Sequence, residues 1–282
     1  MKRCFQIAVL FLTSVVTGHA PLLAQQPSLG VMGGASYYIG ELNPYEHFGD
    51  GTHYAGGVLY RHPLSERFLL RGQLSFGKVS GTDADARTEF RKNRNLHFRS
   101  NIIEVAGIVE LNFFKHAIGD ENDIQTPYLF AGLAYFRMNP EARYQGEWYK
   151  LQPLGTEGQG VPNTGREPYH LDQIAIPFGL GIKVNLGKWV TLGAEWGMRK
   201  TYTDYLDDVS SSYVGSDRLR NENGGLAAEL ANRRKESSTG GTLAGKERGD
   251  PEDKDWYVFS GLTLNFRVAR KESVCSSFNS GQ

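Results

Sequence analysis

After its first segment the sequence has no run of roughly 18 consecutive apolar residues, so no later stretch suits a membrane-crossing helix. It has no net charge, because 31 Lys and Arg balance 31 Asp and Glu; nothing in that balance points to nucleic acid. It has only two cysteines, Cys4 and Cys275. It also lacks the usual catalytic spacings. The seven histidines form no His-Glu-x-x-His pair or Cys/His ligand set. No serine sits in a Gly-x-Ser-x-Gly turn. Thr156 to Gly160 lacks the Gly-Lys-Ser/Thr ending of a phosphate loop, and Gly179-Leu180-Gly181 has no third glycine at Val184. These absences argue against an enzyme and against a small-molecule substrate.

What is present begins at the N-terminus. Lys2 and Arg3 precede a largely apolar stretch from Phe5 to Val16, and Leu22-Leu23-Ala24 supplies small-residue cleavage chemistry before Gln25. Positive, apolar, then small is the order of a secretory signal peptide. The expected organisation is a signal peptide over 1–24, a barrel over 25–268 and a tail over 269–282. Cys4 would leave with the signal peptide, so Cys275 stands alone, as a free thiol or in a disulfide to another chain. The chain also has 34 glycines and 12% aromatic residues. An exported chain of this kind is either a soluble β-protein or a transmembrane barrel.

Alternation of side chains favours the barrel. Ile174, Ile176, Phe178, Leu180, Ile182, Val184 and Leu186 share one face of a strand; the other face is small or polar. The same pattern starts at Phe68, at Val190 and at Trp256. Four less regular strands fit 29–39, 53–61, 97–114 and 127–138. The connections alternate in length. Those at 40–52, 80–96, 139–170 and 204–254 are longer than those at 62–67, 115–126 and 187–188. Long external loops and short periplasmic turns are the habit of outer-membrane barrels. The expected fold is an all-β, eight-stranded antiparallel transmembrane β-barrel embedded in outer-membrane lipid.

Eight strands leave a lumen just wide enough for side chains to fill. Arg71, Glu104, Glu110, Lys183, Glu195, Arg199 and Arg267 fall on inward positions. Buried charges need partners, so an ion-pair network is expected among them.

The loops contain ordered motifs: Gly40-Glu41-Leu42-Asn43-Pro44, Arg94 to Ser100, Thr156 to Gly160, Thr203 to Ser210, Arg248-Gly249 and Asp255-Trp256-Tyr257. Together they resemble the PorG-like outer-membrane proteins of the type IX secretion system of Bacteroidetes, over about Leu29 to Phe266. The resemblance implies a non-enzymatic accessory component that contacts the periplasmic ring of the PorK lipoprotein and its partner PorN. It gives Cys275 a specific expectation, an intermolecular disulfide to the ring lipoprotein, against an unpaired thiol. The alternative is a stand-alone barrel acting as surface adhesin or membrane-structural protein.

Asp204, Asp207 and Asp208 cluster beyond the seventh strand. Clustered carboxylates suit calcium. An omptin-like protease would add a histidine, His97 or His170. The plainer reading is loop structure, with the Asp side chains held by backbone amides and by arginines such as Arg233 and Arg248. No other cofactor is expected. Leu226 to Arg234 has a short helical pattern within an otherwise polar, solvated loop.

Overall fold

A strand with one apolar and one polar face needs two environments. The computed structural model supplies both by closing the sheet on itself. It describes residues 26–84, 86–234 and 243–268; the expected signal peptide, the tail and both cysteines lie outside the described residues. The strands are β1 (Ser28–Ile39), β2 (His53–Pro63), β3 (Phe68–Thr82), β4 (His97–Asn112) and β5 (Gln125–Arg137). A small hairpin, β6 (Pro140–Tyr144) and β7 (Glu147–Lys150), follows. Then come β8 (Asp172–Asn185), β9 (Val190–Thr201) and β10 (Trp256–Arg267). Apart from the hairpin, each strand pairs antiparallel with the next. β1 pairs with β10 from Ser28↔Arg267 to Ile39↔Trp256, which closes an eight-stranded barrel.

The turns at 64–67 and 186–189 are tight. Ser65 Oγ accepts from the Phe68 amide at 3.1 Å, and the Leu186 amide donates to the Val190 carbonyl at 2.9 Å. All four long connections leave the opposite end, which is the external one by the rule that periplasmic turns are short.

The outer wall is apolar. Val105, Leu133, Ile174, Leu180 and Leu262 are exposed on it. Tyr54, Tyr135 and Tyr202 ring its external end, and Phe68, Phe113, Phe114 and Trp189 its other end. Arg71, Glu104 and Glu110 face inward with no exposure. A barrel that is charged inside and apolar outside, with aromatic girdles at both rims, is matched to a bilayer. The chain is an outer-membrane β-barrel. No helix among the described residues is long and apolar enough to cross a membrane.

Three features differ from the sequence expectation. First, β4 outruns β5, whose pairing with it stops at Ile103↔Arg137; the free edge at Arg99 and Ser100 captures β6, so the 139–170 loop carries a hairpin. Second, the 80–96 loop folds into α1 (Glu89–Arg94). Third, the last loop is not solvated filler. It forms α2 (Ser216–Glu222) and α3 (Gly225–Ala231). The latter ends before the expected Arg234, where Asn232 turns extended. Leu219, Ala227, Ala228 and Ala231 bury against Val161 in a small second core, while Leu206, Val209 and Leu230 join the main one. Apolar residues every three or four positions need a partner, and the neighbouring loop provides it.

Candidate functional site

The lumen is filled by two tiers of charge. In the lower tier Glu110 accepts from Arg61 Nε at 2.8 Å and from Lys183 Nζ, and stands in an ion pair with Arg71 Nη1 at 3.0 Å. Arg71 Nη1 also reaches Glu195 at 2.7 Å, and the Tyr128 hydroxyl donates to the same carboxylate at 2.7 Å. In the upper tier Arg199 Nε meets Glu104 at 3.1 Å, and Tyr257 donates to Glu104 at 2.8 Å. Aromatic faces complete the packing: Arg71 lies 4.7 Å from the Phe130 ring centre and Arg199 4.8 Å from Phe259. Each charge is fully desolvated, and each is met by an opposite charge.

Six of the seven charges read from the sequence thus sit in the lumen. Arg267 does not join them. It lies at the rim, where its Nε donates to Gln26 at 2.7 Å and its guanidinium stands over Trp189. It belongs to the last turn of β10, where the strand leaves the barrel. Arg61 was missed. Period two from the outward Tyr60 would have placed it inside.

The lower mouth is closed by the 113–124 turn. His116 is buried there, and the Asn185 side chain donates to the Ala117 carbonyl at 2.8 Å.

At the other mouth the long loops fold into a cap. Its centre is Glu157, which accepts from the Ser210 amide at 2.9 Å, the Ser211 amide at 3.1 Å, the Ser211 hydroxyl at 2.8 Å and Arg248 Nη1 at 2.9 Å. Arg248 continues to the Asp208 carbonyl. Asp208 takes hydrogen bonds from Tyr169 at 2.7 Å and from Thr156. Arg94 grips Asp83 through two bonds, at 2.7 and 2.9 Å, and donates to the Arg248 carbonyl. Tyr169 and Tyr205 stack 4.6 Å apart.

The three aspartates therefore do different work. Asp208 is tied into the Arg248 network. Asp207 accepts from the Tyr38 hydroxyl at 2.6 Å and from the Val209 amide at 2.8 Å. Asp204 turns toward Glu41 and Asp255, and one carboxylate oxygen from each of these three lies within 4.8 Å of the other two. Arg233 does not meet the aspartates; it donates to the Arg143 carbonyl at 2.6 Å. His170 is exposed, and His97 Nε2 accepts from the Arg143 amide at 2.9 Å. Among the described residues no histidine joins the acidic cluster.

Burial governs the chemistry of this cluster. It pushes the Asp204 carboxyl up to about 8, with help from the negative charge of Asp207; the nearby Ser210 hydroxyl opposes it without reaching a regular hydrogen bond. Burial, then Asp207 and Asp204, push Glu41 up to about 10. Burial likewise raises Asp207 to about 7, against the Tyr38 hydrogen bond. Asp255 is held well above the carboxylate range by burial and by Asp207, Glu41 and Asp204. In the sequence Glu41 and Asp255 stand only as parts of loop motifs. Their convergence with Asp204 is a product of loop folding that no spacing encodes.

Among solved structures the chain is similar to the N-terminal β-barrel domain of OprF from Pseudomonas aeruginosa, at 12% identity and a TM-score of 0.36, covering 86% of this chain and 98% of that one. It is also similar to Ail, the attachment invasion locus protein of Yersinia pestis, at 9% identity and 0.40, covering 87% and 100%. A third is Neisserial surface protein A, at 8% identity and 0.40, covering 86% and 96%. The strand count and closure described above rest on this chain's own hydrogen bonding. No curated protein matches the chain. Residues 2–224 match the family described as "Domain of unknown function (DUF6089)", and the chain belongs to that family.

Proposed function

We propose that this barrel is a non-enzymatic outer-membrane component of the type IX protein secretion system, in contact with a periplasmic ring of PorK-like and PorN-like proteins. One observation carries the reading. The motifs that resemble the PorG-like proteins, Glu41, Arg94, Thr156, Glu157, Asp204 to Ser210, Arg248 and Asp255, are distant in sequence yet pack into a single cap. The filled lumen agrees with a role as anchor rather than conduit. The tail from 269 to 282 would face the ring, and Cys275 would form a disulfide with the lipoprotein, since the compartment permits one.

The test is affinity capture of the tagged full-length chain from native membranes. PorK-like and PorN-like proteins should co-purify, and non-reducing electrophoresis should show a larger adduct that Cys275→Ser removes. Capture of neither protein, even after cross-linking, overturns the proposal.

A second reading, a stand-alone surface adhesin, draws on one feature. A cleft of about 370 Å³ opens between the external loops and is lined by Tyr45, Lys78, Arg87, Arg91, Arg99 and Trp148. Under this reading, charge reversal at Lys78 and Arg87 abolishes adhesion of cells that display the barrel, and loss of the tail does not.

A further inference from the structure

The acidic cluster in the cap has an unusual charge balance. Glu41, Asp204, Asp207 and Asp255 lie together, yet none of the four makes an ion pair among the described residues. The arginines nearby are committed elsewhere, Arg94 to Asp83 and Arg248 to Glu157 and Asp208. A second observation is independent of the clustering. Asp204 is only 3% exposed, and both of its carboxylate oxygens are buried without a hydrogen-bond partner. Glu41 Oε2 is buried without a partner as well. A desolvated carboxylate with nothing to hold it is costly. Asp204 and Glu41 thus hold three unpartnered oxygens between them, and one oxygen from each lies within 4.8 Å of the other and of an Asp255 oxygen.

We propose that Glu41, Asp204 and Asp255 bind a calcium ion that ties the first and last external loops together. The size fits. Three oxygens within 4.8 Å of one another lie no more than about 2.8 Å from a common centre, a small inward movement from the calcium range and a large one from that of magnesium. The donors are all hard oxygens, which disfavours zinc and copper. Glu41 Oε1 also accepts from the Asp250 amide at 3.2 Å, and Asp255 accepts from Tyr38 at 2.9 Å and from the Leu206 amide at 2.8 Å, so two of the three ligands are already oriented. Asp204 has only the Ser210 hydroxyl and the charge of Lys254 nearby, and neither of its oxygens makes a regular hydrogen bond. The three come from the start of the first loop and from the two ends of the last, so one ion would cross-link segments that no ion pair among the described residues joins. The affinity expected of such an extracellular loop site is about 10⁻⁴–10⁻³ M. This inference is independent of any periplasmic partner.

The refolded full-length barrel in detergent, stripped with chelator, is titrated with calcium chloride in a calorimeter and, in parallel, with magnesium chloride. Calcium should bind once per chain, and magnesium at least tenfold more weakly. Calcium should also slow hydrogen exchange of backbone amides in 202–210 and 250–257. Asp204→Asn and, separately, Glu41→Gln should each weaken binding at least tenfold while the heat-modifiable folded band on electrophoresis is kept. No heat of binding to the wild type at millimolar calcium overturns the proposal. So does wild-type affinity in both folded variants.

Discussion

Arg248 and Glu157, 91 positions apart, meet at 2.9 Å with both side chains almost wholly buried. The pair joins the middle external loop to the last one. Removing one partner strands the other charge in a dry site, which costs about 3–5 kcal/mol. Arg248→Met should therefore open the cap, seen as new protease cleavage within 202–255, while the barrel keeps its folded electrophoretic band. The double variant Arg248→Met with Glu157→Gln should recover part of the loss, because Glu157 is no longer a stranded charge and only the more distant Asp208 lacks its cation. Equal cleavage of the single and double variants would count against a charge-pair role.

The lumen should not conduct. Arg71 touches Glu110 at 3.0 Å and Glu195 at 2.7 Å, and these side chains cross the bore. Wild-type barrel inserted in a planar bilayer should give no discrete current steps. The triple variant Arg71→Ala, Glu110→Ala, Glu195→Ala removes the crossing atoms and should admit small ions. Steady conductance by the wild type would refute the filled lumen.

Two glycines test the inside and the outside of the same wall. A Cβ on Gly197 would stand 2.6 Å from Phe130 Cζ and 2.7 Å from Arg199 Nη1. Overpacking of that sort costs about 1–3 kcal/mol. Gly197→Val should lower the temperature at which the folded band is lost. Gly72 faces outward with nothing within 4 Å of its missing Cβ, so Gly72→Ala should leave that temperature unchanged.

The barrel was legible because lipid imposes a strict rule on one face. Ile174 to Leu186 alternates without exception, and its register against β9 follows from that. Interior positions obey a looser rule, since Gly193, Glu195 and Arg199 all face the lumen; at Arg61 only the alternation with the outward Tyr60 marks the inward side. The cap was legible only as motifs. Tyr38 and Asp207 bond at 2.6 Å across 169 positions, and no period encodes such a contact. The acidic residues of 204–208 marked the right region, but a run of aspartates says nothing of which carboxylate turns toward Glu41 and Asp255. That choice is made by competing partners: Arg248, Thr156 and Tyr169 take Asp208, and Tyr38 takes Asp207.

Asp208 gives the cap a pH dependence with a definite sign. Burial raises its carboxyl from the usual 3.8 to about 6, against the opposing pull of Arg248 and the hydrogen bonds from Thr156 and Tyr169; the negative Glu157 adds to the rise. The folded state thus holds a proton that the unfolded state has released. Such a group contributes stability that is complete below about pH 4 and is lost as pH rises through about 6. With chelator present, the cap should be more stable to denaturant at pH 4.5 than at pH 7, by this route. The stacked Tyr169 and Tyr205 offer the signal, as near-ultraviolet circular dichroism. Asp208→Asn cannot ionise, so it should flatten the change between about pH 4 and 6. A wild-type midpoint that climbs over that interval, or an unchanged slope in the asparagine variant, would show that Asp208 is charged in the folded cap throughout.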